Sequence, residues 1–585
     1  MADVFPKIEQ ARQHVEAGRI EQARALLDRA LRQNPGHPDL CNAMSLVLQA
    51  ASRFDQALFF AQRATEARPN DPGYRQNLAN ILAQLGRAEP AEAQYRAALA
   101  LNPAATGARL GLSHILRLTY RFAESTAHLE EALRTTPNDV ELFSALAPLL
   151  LKQARVEDAV AAARRGLELD PHHHGCAAAL AHCLNYMPGA DPAEVLAAHR
   201  AAGGGYSAQA KSRYTSHNVQ PDPDRRLRIG LLSGDLRRHA ITFFLEPFIE
   251  HHDRGAFELA CYSTCPHEDE VSASIKKRVA LWRSLAGTAP ETIASAIHKD
   301  RVDILIELFG HAAGHQIPVV VIKPAPVQAD FLGYPATTGI PEIDYRFVDS
   351  LTDPPGAERF ASEQLIRLDP SFLCYSPMPG APPCARTGDG LTFGSFNSAP
   401  KLNAGVFRTW ASILSRVPQS RLILKCLEFN DPALPSAILA RFAEHGVDPA
   451  RIECLRFTST VTDHLAAYHG VDIALDPFPY NGTTTTFDAL FMGVPVVSLQ
   501  GDRHVARVSS AILTNLGHPE LIAQSHDQYI DIATSLAADP GRLRLYRDTL
   551  RARLLASPLT DGPAFAARLS GALRFIWHEW CARPR

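Results

Sequence analysis

Apolar and small side chains recur at helical intervals through residues 1–186, and from residue 226 onward they gather into short continuous runs. The runs RLRIGLLS, FELACYS and VDILIEL are each followed by a turn and a helical stretch. After a loop rich in proline and glycine at residues 376–390, the alternation returns as LTFGSF, SRLILKC, RIECLRF, VDIALD and VPVVSL. Strands that are apolar on both faces and separated by helices predict parallel sheets covered on both sides. The blocks 226–385 and 386–585 therefore predict two Rossmann-like domains, with ligands bound in the cleft beyond the carboxyl ends of their strands. Residues 187–225 are expected to form a helical transition and linker, where Gly203, Gly204, Gly205, Pro221 and Pro223 mark a joint rather than the interior of an element.

The helical part has a fixed period. Pro35, Pro69, Pro103, Pro137 and Pro171 stand 34 residues apart. Twelve residues before each is Ala23, Ala57, Ala91, Ser125 or Ala159, and five before each is Ala30, Ala64, Ala98, Ala132 or Gly166. Twenty-four before is Ala11, Ser45, Ala79, Ser113 or Ala147. Two helices that cross closely need small residues at the crossing, and a proline ends the second of them because it lacks an N–H and clashes with the preceding turn. A 34-residue helical period is the signature of the tetratricopeptide repeat. The fold class is accordingly an α-solenoid of five full repeats and one partial repeat over residues 1–186, followed by two α/β domains. Such a solenoid is expected to bind proteins. The run His172, His173, His174 falls at a repeat boundary and reads as a solvated loop.

Charge and cysteine usage narrow the classes. A net charge of −3 gives no reason to expect a nucleic acid or an anionic membrane as partner. No stretch approaches the roughly 18 apolar residues that span a bilayer. The start, MADVFPKIEQARQ, reads as an amphipathic helix carrying acids rather than as a signal peptide. Ten scattered cysteines without a CxxC pair point to a reducing cytoplasm.

The sharpest local motif is LDPFPYNGTTTTFDALFMGVPVVSL. Its strand ends at Asp476, its turn carries Asn481 and Gly482, and a helix opens over Thr483, Thr484, Thr485 and Thr486. Unpaired N–H groups and the positive end of the helix dipole make such a start a cradle for a diphosphate. Asp488 could then accept hydrogen bonds from ribose hydroxyls. The alternative is a threonine-capped helix in an ordinary strand–helix unit, but four consecutive threonines are poor helix formers. In GSFNSAPKLN, Lys401 follows a strand through a turn, where it could neutralise a leaving diphosphate or simply face solvent. His239, after the first strand of the first block, and His298, near a helix end, are candidate proton acceptors. A lone histidine is more often a structural hydrogen-bonding partner.

Taken together, the repeats, LRIGLLSGDLRRHA, KPAPVQADFLGYPATTG, FNSAPKL and LDPFPYNGTTTTFDALFMGVPVV resemble the O-linked N-acetylglucosamine transferase family, also called SPINDLY-type, over almost the whole chain. The resemblance implies a GT-B fold, a nucleotide-sugar donor, UDP-N-acetylglucosamine, and inverting transfer to Ser or Thr hydroxyls of proteins without a metal. Lys401 matches the family lysine at the donor diphosphate. Thr484 and Thr485 match the threonines of the phosphate-binding helix, Asp488 the ribose-binding acid, and His464 a histidine at the nucleotide. His239 and His298 match two histidines proposed as base or acceptor-side contact. Ser398 stands where the animal enzymes carry a glutamine, Thr483 replaces a histidine, and Val461 and Ala467 replace basic residues, so base and sugar selectivity stay open. GDP-fucose or UDP-glucose as donor, or a scaffold with an inactive transferase half, are the alternatives. Animal members line their repeats with asparagines. Here those positions read Glu9, Ala43, Asn77, Gly111 and Ala145.

Overall fold

The computed structural model describes residues 4–312, 314–377, 380–458 and 460–583. The chain divides into two compact units, Met1–Leu150 and Leu151–Arg585.

In the first unit, paired helices follow the predicted period: Phe5–Glu16 with Ile20–Gln33, Pro38–Ala50 with Phe54–Ala67, Pro72–Gln84 with Ala88–Leu101, and Thr106–Leu118 with Phe122–Thr135. Each second helix stops two residues before its proline. A residue preceding proline is pushed out of the helical region, and Asn34, Arg68, Asn102 and Thr136 all lie at φ between −138° and −129°. The crossing residues Ala23, Ala57, Ala91 and Ser125 are each 0% exposed. A second period was not foreseen. Gly18, Ser52, Gly86 and Tyr120, again 34 apart, hold φ between 57° and 71° in the turn joining the two helices of each pair. Asn77 is not free to grip a ligand. Its amide donates to Asn42 Oδ1 (2.7 Å) and Ser45 Oγ (2.6 Å) and its Oδ1 accepts from Gln49 (2.5 Å).

The second unit opens on helices Val156–Leu169, His174–Leu184 and Pro192–Gln209. Two expectations are corrected here. The histidine run is a solvated turn only at His172: His173 caps the helix that follows by accepting from the Cys176 N–H, and His174 sits edge-on to Tyr206 with ring centroids 3.9 Å apart. Likewise Gly203, Gly204 and Gly205 lie inside a helix rather than at a joint. A Cβ on Gly203 would sit 2.2 Å from the Gly339 carbonyl oxygen, and one on Gly205 would sit 2.5 Å from His174 Nδ1. The helix carries glycine because it is pressed onto the GYPATTG segment. Tyr334 of that segment completes the contact, accepting from Asn185 (2.8 Å) and bonding His199 Nε2 (2.9 Å) through its hydroxyl.

Two parallel sheets follow. The first contains β1 (Leu227–Ser233), β2 (Phe257–Ser263), β3 (Leu281–Ser284), β4 (Ile304–Glu307), β5 (Val327–Asp330), β6 (Tyr345–Val348) and β7 (Gln364–Arg367), in the order 3-2-1-4-5-6-7. The second contains β8 (Thr392–Ser395), β9 (Arg421–Lys425), β10 (Ile452–Leu455), β11 (Ile473–Leu475), β12 (Val496–Leu499) and β13 (Ile522–Ala523), in the order 10-9-8-11-12-13. Both are doubly wound, with the strand order reversing beside β1 in one and β8 in the other. Such a reversal opens a crevice at the carboxyl ends of the two diverging strands.

The terminal helix, Gly562–Cys581, does not stay with the second sheet. It packs on helix Ala240–His251 and on β5 of the first. Arg574 donates to the carbonyls of Pro223 (2.7 Å) and Arg225 (2.8 Å), and Trp577 donates to that of Asp222 (2.9 Å). The linker before β1 is thus docked on the last helix.

Adjacent glycines give a paired test. Gly204→Ala meets nothing within 4 Å and is expected to stabilise by about 0.5–1 kcal/mol, as Ala does over Gly in a helix. Gly203→Ala is expected to destabilise by about 1–3 kcal/mol through overpacking against a backbone carbonyl. Thermal unfolding followed by circular dichroism should move in opposite directions for the two. Movement in the same direction would mean that the helix does not press on Gly339.

Candidate functional site

The crevices of the two sheets are built from the four loops that leave β1, β4, β8 and β11. The loop after β11 is held by one carboxylate. Asp476 accepts from the Gly482 N–H (2.6 Å) and from Ser498 Oγ (2.7 Å), while its own carbonyl accepts from the Tyr529 hydroxyl (3.0 Å). Burial raises the Asp476 carboxyl to about 6 against those hydrogen bonds. Gly482 is required, because a Cβ there would lie 2.6 Å from the hydroxyls of both Thr485 and Thr486. Helix Thr484–Phe491 then begins with no side-chain cap, and Thr483 before it is at φ −119°, ψ −80°. The first N–H groups of a helix have no partner inside it, so this start presents free donors and the positive end of a dipole.

Lys401 arrives from the other motif. It closes a short 3-10 turn after β8, in which the Ser398 carbonyl accepts from the Lys401 N–H at 3.1 Å. Its Nζ donates to the Asn481 carbonyl (2.8 Å) and to Asn397 Oδ1 (3.1 Å), and lies 4.4 Å from the centre of the Tyr480 ring. Asn397 Oδ1 also accepts from Thr485 Oγ1 at 3.1 Å, so the lysine and the threonine helix are joined through one amide. Burial lowers the Lys401 ammonium to about 8 despite the nearby Asp476 and Glu428 carboxylates.

Further along the helix, Asp488 accepts from the Tyr375 hydroxyl at Oδ1 (3.1 Å) and faces His464 Nε2 at Oδ2 (3.3 Å). Lys425, the last residue of β9, lies 2.6 Å from His464 Nδ1. A lysine cation donating to Nδ1 leaves the proton on Nε2, where it can donate to Asp488. The imidazole tautomer is therefore set from both sides. Burial lowers Lys425 to about 8 as well, against the pull of Asp488 and Asp463.

Across the crevice, His239 caps helix Ala240–His251, its Nδ1 accepting from the Ile241 N–H (3.4 Å) with Asp235 Oδ2 3.4 Å from Nε2. Burial lowers its pKa and Asp235 opposes that. His239, Ala240 and Thr484 line two cavities at once. One, of about 260 Å³, also includes Thr483, Tyr480, Asp330, Tyr334, Arg346 and His504. The other, of about 270 Å³, includes Tyr375, Phe457, Thr458, Val461, His464 and Asp488. The two cavities meet at the uncapped helix start.

The structure therefore brings His239, His464, Thr483, Thr484 and Asp488 to the cavities; Lys401 and Thr485 line neither and are joined to each other through Asn397. Ser398 lines neither cavity and contributes its backbone to the Lys401 turn. His298 is not brought to the site. It ends helix Pro290–Lys299, at the entry to β4 rather than at its carboxyl end, and its ring stacks on Tyr214 at 3.9 Å and 9°. The sequence reading missed Asn397, Lys425, Tyr375 and Asp235. A lysine ending an otherwise apolar strand, as in SRLILKC, was the available signal for Lys425. Among the described residues, no three His, Cys, Asp or Glu side chains cluster as metal ligands would, and no helix is long and apolar enough to cross a membrane.

Comparison with known proteins adds to this geometry. Residues 206–375 and 386–569 match glycosyl transferase family 41, and residues 14–81 and 77–140 match tetratricopeptide repeats. A relative from Oryza sativa subsp. japonica, named probable UDP-N-acetylglucosamine–peptide N-acetylglucosaminyltransferase SPINDLY, is 38% identical over 430 residues, covering 72% of this chain and 46% of the relative. An Arabidopsis thaliana protein of the same type, named SEC, is 29% identical over 379 residues, covering 61% of this chain and 38% of its own. The chain spans less than half the length of these curated relatives. Among solved structures, a lysine-to-methionine mutant of Thermobaculum terrenum O-GlcNAc transferase superposes with a TM-score of 0.80 at 32% identity, covering 87% of this chain and 98% of that one.

The depressed Lys401 pKa has a measurable sign. Between about 8 and the ordinary lysine value of about 10.4, the unfolded chain binds a proton that the folded chain does not. Stability therefore rises with pH across that window, and near pH 7 the buried cation is a cost. Lys401→Met removes that cost, so the stability of the variant minus that of the wild type is expected to fall between pH 7 and pH 10. Denaturant unfolding at several pH values would measure it, and a difference that stayed flat or rose would contradict the burial of a cation at this position.

Proposed function

The chain belongs to glycosyl transferase family 41, and from that premise we propose that it transfers N-acetylglucosamine from UDP-N-acetylglucosamine to serine and threonine hydroxyls of proteins. The observation that carries the reading is the pair of cavities meeting at the uncapped start of helix Thr484–Phe491. A diphosphate seated on that start takes hydrogen bonds from the free N–H groups and from the Thr484 hydroxyl, while Thr485 donates to Asn397. One cavity then receives the nucleoside, with Asp488 accepting from ribose hydroxyls. The other receives the sugar and the incoming hydroxyl.

In this scheme the hydroxyl attacks the anomeric carbon from the face opposite the leaving UDP, which inverts the centre. Negative charge grows on the diphosphate as the bond breaks. The helix start and Lys401 stabilise that charge, and preorganised electrostatics of this kind are usually the largest contribution to catalysis. His239 is the histidine beside the incoming hydroxyl, since it lines both cavities, whereas His298 lies at the other end of its sheet. With Nδ1 accepting from the Ile241 N–H and Nε2–H facing Asp235, His239 takes the hydroxyl proton only by giving up one of those contacts. Its lowered pKa keeps the imidazole neutral near pH 7. Acceptor proteins would be selected by the repeats through surfaces other than Asn77, whose side chain is committed within the solenoid.

UDP is favoured over GDP on the carboxylates available. Guanine presents N1–H and N2–H donors that want an acceptor. Asp463 already accepts from Thr460 (2.6 Å), and in this scheme Asp488 is given to the ribose hydroxyls. Isothermal titration with both nucleotides is expected to give tighter binding of UDP. GDP binding tenfold tighter, about 1.4 kcal/mol, would overturn the N-acetylglucosamine donor and point to GDP-fucose.

Lys401→Ala is expected to lower kcat by about a hundredfold or more, with a smaller change in donor affinity, because the charge it meets develops mainly in the transition state. Single-turnover rates within about threefold of wild type would take Lys401 out of the chemistry.

A further inference from the structure

The first cavity carries a charged pair that the scheme above leaves unused. Asp330 ends β5 and Arg346 is its register partner in β6. They are 1% and 4% exposed, and both line the cavity that includes Thr483 and Thr484. The polar contact between them is long, Nε to Oδ2 at 3.5 Å, at the far edge of what counts as a hydrogen bond. Asp330 Oδ1 has no partner. Glu307, beside Asp330 on β4, does not relieve the arginine, because its two oxygens accept from the N–H groups of Phe309 (3.0 Å) and Gly310 (2.6 Å). Burial raises the Asp330 carboxyl, Arg346 opposes this, and Glu307 adds to it.

A buried guanidinium has five donors and a buried carboxylate several acceptor sites, and leaving them unmet is costly. Here both partners keep unused capacity of opposite kinds beside one cavity, Asp330 Oδ1 itself being fully buried. A peptide carbonyl could use only the arginine and would leave Asp330 Oδ1 unmet. A sugar hydroxyl both donates and accepts, so adjacent hydroxyls of one ring can satisfy both groups. The neighbouring wall of Phe347, Phe372 and Leu332 suits the C–H face of such a ring.

Building on the transferase reading, we propose that Asp330 and Arg346 form the sugar-reading element of the donor site, holding a hexosyl group through adjacent free hydroxyls. A residue in this role sets which sugar is transferred without touching the nucleoside.

The test compares UDP with UDP-N-acetylglucosamine, by isothermal titration, on the full chain and on Arg346→Met and Asp330→Asn. UDP affinity is expected to stay within about twofold in both variants. UDP-N-acetylglucosamine is expected to weaken about tenfold or more in Arg346→Met, in keeping with hydrogen bonds to a charged group. Donor analogues lacking single ring hydroxyls complete a cycle. One of them should bind wild type about tenfold more weakly than the parent donor yet bind Arg346→Met as well as the parent does. An unchanged ratio of sugar-nucleotide to nucleotide affinity in both variants would overturn the proposal. So would a wild type indifferent to the loss of every ring hydroxyl, a measurement that does not depend on either variant folding. Should wild type take GDP instead of UDP, the donor reading fails by itself, and the same comparison with GDP and GDP-fucose then decides the sugar-reading pair.

Discussion

A helix that starts inside a protein without a cap leaves its first N–H groups without a side-chain partner among the described residues, and the segment from Asp476 to Asp488 is organised around that one deficit. The Asp476 carboxylate, buried and bonded to Gly482 and Ser498, fixes where the turn goes. Gly482 lets the turn close against Thr485 and Thr486, and the helix begins at Thr484. Once that start is fixed, Asn397 ties Thr485 to Lys401, and Asp488 faces Tyr375 and His464. The positions of the lysine and the acid thus follow from a single buried turn. The desolvated charges at Lys401 and Lys425 show the same economy: each is held at a cost to stability where a negatively charged ligand would offset it.

Much of this was legible in the sequence. The 34-residue period located the helix pairs and their small crossing residues, because one geometric constraint is repeated five times. Eight apolar runs gave eight strands, among them β1, β2, β4 and β8 to β12. The strands β3, β5, β6, β7 and β13 were not read, since LWRS, VQAD, YRFV, QLIR and a two-residue IA are too short or too polar to announce themselves. The NGTTTT helix start stood out for a physical reason, the poor helix propensity of threonine.

Three-dimensional approach was not legible. Glycines at 203–205 have the composition of a joint, and only the nearness of Gly339 and His174 explains them inside a helix. His298 and His239 look alike in one dimension, each at a helix end in a strand–helix block. They differ in which end of the sheet the helix end faces. Asp330 and Arg346 lie sixteen residues apart in the chain, and no spacing rule joins them. Their pairing depends on β5 and β6 lying side by side, and β5 was itself among the strands the apolar pattern did not reveal.

The return of helix Gly562–Cys581 to the first sheet has a consequence in time as well as space. Its Phe565, Leu569 and Trp577 belong to the same continuous core as Leu227, Phe244 and Phe331. A ribosome releases those core partners in order, with the whole second domain synthesised between them. The first domain therefore waits, with one face uncovered, until helix Gly562–Cys581 has been made, while residues 386–555 already hold all six strands of their own sheet. Assembly of the later-made domain can thus precede completion of the earlier-made one. The cavity where the two meet is among the last features to form.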